Sequence, residues 1–127
     1  MNDIKTGLSR HAFLFGELFG AGERDPTKAT DERIEDDGRW ISANVPGPHW
    51  LRLDLPTLVT LGSFHLWSGI EFPRSNGEVF AIDTFELQWL DGQTWRTIPG
   101  SAVTSNDAGA IAVEFDAPVS ATSFRLW

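Results

Sequence analysis

The chain contains no cysteine. Disulfides, thiolate metal sites and cysteine nucleophiles are therefore excluded. It is also short of positive charge. Ten Lys and Arg stand against eighteen Asp and Glu, for a net charge of −8. Nucleic-acid affinity comes largely from Lys and Arg on phosphates, and no basic cluster along the chain offsets this balance. Nucleic acid is thus not expected as a partner, and an anionic membrane surface is disfavoured for the same reason. No apolar run approaches the ~20 residues that span a bilayer, so membrane insertion is not expected. The opening residues, MNDIKTGLSRHAFLFGELFG, carry one Lys and an interrupted apolar stretch with no small-residue cleavage site. They do not read as a secretory signal peptide.

What is present points to one globular domain. The chain has 127 residues, 41% of them hydrophobic, and six tryptophans. That is enough for a single core without disulfide or metal staples. Alternation with a period of two recurs in short bursts. Leu51, Leu53 and Leu55 alternate with Arg52 and Asp54. Phe64 and Leu66 alternate with His65 and Trp67, and Phe85, Leu87 and Trp89 with Glu86 and Gln88. Ile111, Val113 and Phe115 alternate with Ala112, Glu114 and Asp116, and Phe124 and Leu126 with Arg125 and Trp127. Asp91-Gly92 reads as the turn of a β-hairpin closed by Pro99-Gly100, and Asp116-Ala117-Pro118 as the end of the next strand. The expected fold class is all-β, an antiparallel β-sandwich or barrel. Residues 1–22 read as an N-terminal segment, either an edge strand or a short helix, and residues 23–127 as the sandwich.

Signatures of catalysis are missing. There is no Gly-x-Ser-x-Gly, no phosphate-binding Gly-rich loop with Lys, and no His-Glu-x-x-His. His11, His49 and His65 are far apart in sequence. A pair of distant carboxylates could still form a glycosidase site, but nothing marks one out.

Five segments taken in order resemble a known family: KATDERIEDDGRWIS, HWLRLDL, LGSFHLWSG, FELQWLDGQTWRTI and ATSFRLW. Together they look like a discoidin-like (coagulation factor C-type) domain of the galactose-binding-like superfamily, in its bacterial or phage branch. The likeness covers roughly residues 28–127. Glu32 stands where the family usually has glycine, and Pro56 replaces the glycine often found after Asp-Leu. The resemblance implies a jelly-roll β-sandwich and a non-catalytic role. It also implies packing roles for Trp40, Trp50 and Trp95, and a structural calcium bound at the position of Asp31.

Three groups of residues are candidates for function. Asp31, Glu32, Glu35, Asp36 and Asp37 fall within seven residues. Calcium takes about six to eight oxygen ligands and tolerates irregular loops, so Asp31 and Asp36 are candidate metal ligands; the alternative is a solvated acidic loop. Asn44 and His49 lie in a loop stiffened by two prolines and Gly47. Arg74 and Asn76 lie in the 68–84 segment, which reads as a long loop, and His65 and Trp67 stand at its mouth. Sugar hydroxyls both donate and accept hydrogen bonds, so a site for them wants planar polar groups with one aromatic platform. Trp67 could instead cover the opposite face of its strand.

The leading expectation is a non-catalytic glycan-binding module, extracellular or on a cell or virion surface, acting through loops at one end of the sandwich. The alternative is a protein–protein assembly module of a phage virion or cell-surface structure, with a homo-oligomer or a larger parent protein as its setting. A hydrolase using an acidic-loop carboxylate is the third.

Overall fold

The computed structural model describes residues 13–16, 48–67 and 82–127, the first of these in their backbone. Every regular element among them is a strand: β1 (Phe13–Gly16), β2 (Leu51–Trp67), β3 (Leu87–Asp91), β4 (Thr94–Thr97) and β5 (Ala110–Leu126). Among the described residues no helix is long and apolar enough to cross a membrane. Among the described residues the strands form one antiparallel sheet in the order β1-β2-β5-β3-β4, with β1 and β4 outermost.

Alternation places side chains on the two faces, and register then sorts them into rows across the strands. Leu51, Leu126 and Leu87 face one another across β2, β5 and β3, and the next row on that face is Leu53, Phe124 and Trp89. These are core positions; Trp89 packs against the cluster from its margin. The far halves of the long strands add Phe64, Leu66, Val113 and Phe115. Phe85 meets Phe64 edge-on, with ring centroids 6.3 Å apart. Each of these large side chains contributes about 1.5–3 kcal/mol on burial.

The first two and last two alternating bursts are each parts of a single 17-residue strand. What interrupts the alternation is a pair of bulges. Residues 55–58 of β2 stand opposite Thr122 alone, and residues 115–118 of β5 opposite Gly62 alone. Each bulge contains a proline, Pro56 or Pro118, which has no N–H for the ladder. Asp116-Ala117-Pro118 therefore bends β5 and does not end it, contrary to the reading from sequence.

The β3–β4 turn sits one residue later than Asp91-Gly92 suggests. Asp91 pairs with Thr94, so Gly92 and Gln93 are the two loop residues. Gly92 has a φ of 65°, which suits the first central position of a primed hairpin turn. Beyond β4, the Pro99-Gly100 turn docks on the β5 bulge, where the Asp116 N–H donates to the Pro99 carbonyl at 3.0 Å. Gly100 has a φ of 86°, and a Cβ there would lie 2.5 Å from Asp116 Oδ1. Ser101 extends the β3 ladder by side chain. Its fully buried Oγ accepts from the Leu87 N–H and donates to the Leu87 carbonyl, both at 3.0 Å.

Candidate functional site

The candidates from sequence fall in three places. His65 is exposed and Trp67 half-buried at the C-terminal end of β2, directly before the 68–84 segment. His49 is half-buried two residues before β2 begins, so the whole of that strand separates it from the His65–Trp67 pair. Trp50, next to His49, is also half-buried. Asn44, Arg74 and Asn76, the proposed metal ligands Asp31 and Asp36, and Trp40 lie outside the described residues. Among the described residues no three His, Asp or Glu side chains stand together as a metal site.

A second cluster was not singled out from sequence, although the alternation named most of its members. It lies on the sheet face opposite the core. Arg52, Arg125, Gln88 and Thr97 occupy one row across β2, β5, β3 and β4. Flanking this row are Trp95 on β4, Asp54 on β2, and Glu86 with Trp127, whose backbones exchange hydrogen bonds at 2.9 Å. The Arg125 guanidinium lies over two indoles, 4.6 Å from the centroid of Trp95 and 4.2 Å from that of Trp127. Arg52 lies 5.4 Å over the same Trp95 ring. A cation over an indole face is attracted by the ring quadrupole, and Arg stacks there best.

Directed polar contacts fix these side chains. Arg125 Nε donates to Gln88 Oε1 at 2.6 Å, and Gln88 Nε2 donates in turn to Glu86 Oε1. Thr97 Oγ1 donates to the same Glu86 oxygen at 2.8 Å. Arg52 Nε donates to Asp54 Oδ1 at 2.8 Å. Burial lowers the Arg125 pKa from its usual value; Glu86 opposes the shift and the Arg52 charge adds to it. Arginine remains protonated at neutral pH regardless. Trp95, read from the resemblance as a packing position, is half-buried beneath two cations on a polar face. The missing information was the strand register, which alone brings Arg52, Arg125 and Trp95 together from positions far apart in sequence.

No family model matches the chain, and no curated protein matches it in sequence. Solved structures do. A family 32 carbohydrate-binding module from EndoD of Streptococcus pneumoniae superposes with a TM-score of 0.76 at 17% identity, covering 94% of this chain and 82% of that one. Chitosan-binding module 2 from a chitosanase/glucanase of Paenibacillus sp. IK-5, in complex with chitotriose, gives 0.71 at 18%, covering 94% and 85%. The module CpGH89CBM32-5 of Clostridium perfringens, in complex with GalNAc-β-1,3-galactose, gives 0.68 at 22%, again covering 94% and 85%. At these identities the likeness is one of fold. The chain has the antiparallel β-sandwich fold of these modules.

Proposed function

We propose that this chain is a non-catalytic glycan-binding module. One observation carries the reading: the fold match over 94% of the chain to carbohydrate-binding modules, two of them in complex with oligosaccharides. Fold by itself does not determine function, so the site must supply the rest. At the C-terminal end of β2, exposed His65 and half-buried Trp67 lead into the segment that carries Arg74 and Asn76. An indole face packs against the C–H face of a pyranose, and the polar groups select its hydroxyls. His49, before the other end of β2, is a second, separate candidate contact, and Asn44 stands five residues before it in sequence. A shallow site of this kind binds weakly and gains strength through repetition or attachment to a larger protein. The setting that fits is extracellular or at a cell surface. Asp31 and Asp36 are the residues that would hold a structural calcium. A melting temperature that falls with chelator supports that ion, and an unchanged melt removes it.

A glycan array tests the reading. Capture of a defined glycan, lost with Trp67→Ala or Arg74→Ala while the melting temperature stays within a few degrees, is the expected result. No capture of any glycan, together with a solution mass above the monomer, would replace it with an assembly role.

A further inference from the structure

Arg52 and Arg125 face each other directly across β2 and β5. Like charges in such a pair destabilise a sheet. Here both guanidiniums also share one indole, Trp95, and among the described residues each is held by a single hydrogen bond through Nε, to Asp54 and to Gln88. No acceptor among the described residues meets the terminal amino groups of either side chain. Asp54 and Glu86 balance the local charge, but the Glu86 oxygen in use binds Gln88 and Thr97, not Arg125. The result is two pre-set guanidinium forks on a sheet face, beside a Trp127 that is 39% exposed.

We propose that Arg52 and Arg125 anchor the carboxylate of an acidic sugar, with Trp127 as the platform for its ring. The inference rests on the glycan-binding reading and names the substrate class for this second face. A carboxylate is the planar partner that a guanidinium fork matches with two parallel hydrogen bonds. The two side chains are already ordered by Trp95, Asp54 and Gln88, so little rotamer entropy remains to be lost on binding. The chain's net charge of −8 repels dense polyanions, which restricts the ligand to a short acidic glycan.

The test compares trigalacturonate with its methyl ester by titration calorimetry on the full chain. The two ligands share rings and hydroxyls and differ in charge. The acid binds roughly tenfold or more tightly than the ester, as expected for charge-assisted hydrogen bonds. Arg52→Gln abolishes that preference and leaves the melting temperature nearly unchanged, and Arg52→Lys restores only part of it. Arg96→Ala, which removes only an exposed ion pair with Asp91, leaves it intact. Equal affinity for acid and ester overturns the inference, as does a preference that survives Arg52→Gln. A chain that captures neutral glycans on the array but not trigalacturonate also overturns it while leaving the broader reading in place. A chain that captures no glycan at all overturns both.

Discussion

The two faces of one sheet are held by different physics. On the core face, Leu53 and Phe124 sit in register and are stabilised by the apolar area they remove from water. One residue along on the same strands, Arg52 and Arg125 also sit in register, and what positions them is a chain of aimed contacts to Asp54, Gln88, Trp95 and Trp127. Area burial is non-directional and tolerates exchange for another shape of similar volume. Aimed contacts do not, because each donor needs its acceptor. The first face should therefore govern whether the chain folds, and the second should govern what it can hold.

That contrast orders the expected effects of substitution. Phe124→Ala opens a cavity in the core and should cost about 3–5 kcal/mol in urea unfolding. A loss below ~1 kcal/mol would mean that the core face is not the stabilising one. Ser101→Ala strips both partners from Leu87 in a fully buried place, and about 1–3 kcal/mol should go with them. Gly100→Ala forces a side chain into a left-handed backbone against Asp116, and its unfolding midpoint should drop by the equivalent of about 1–2 kcal/mol. On the opposite face, Thr97→Val removes one exposed hydrogen bond to Glu86 and should change stability by less than ~1 kcal/mol. Arg96→Ala breaks the exposed ion pair with Asp91 and should fall within about 0.5 kcal/mol of the parent. If Thr97→Val matched Phe124→Ala in cost, the division between the faces would collapse.

Much of this division is legible in the sequence alone. Alternation puts Leu51, Leu53, Leu87, Phe124 and Leu126 on one face and Arg52, Glu86, Gln88, Arg125 and Trp127 on the other, and the strands, with Glu86 and Trp127 flanking them, carry them so. Alternation reports the face of a residue but not its cross-strand neighbour. For that reason Trp95, four residues past Asp91, does not signal that Arg125 lies over it. Pro118 misleads for a related reason. A proline that cannot join a ladder marks an unpaired position, and a strand end and a bulge are both unpaired. Only the resumption of pairing at Val119 distinguishes them. His65 and Trp67 lie at the end of β2, directly before the 68–84 segment in sequence. The acidic loop and the Asn44, Arg74 and Asn76 positions depend on segments outside the described residues.

The two bulges also constrain how the gene for this fold can change length. At one end of the long pair Leu51 meets Leu126 and at the other Trp67 meets Ala110, so equal spans of β2 and β5 separate the two end pairs. In between, Val59 meets Ala121, three residues out of step with both ends. The offset introduced at residues 55–58 is undone at residues 115–118. Trimming either bulge alone would leave one half of the pair mismatched with the other, swapping inward and outward positions wherever the slip is odd. Trimming both together by the same amount would preserve the alignment of each half, so viable indels at these two distant sites should come as matched couples.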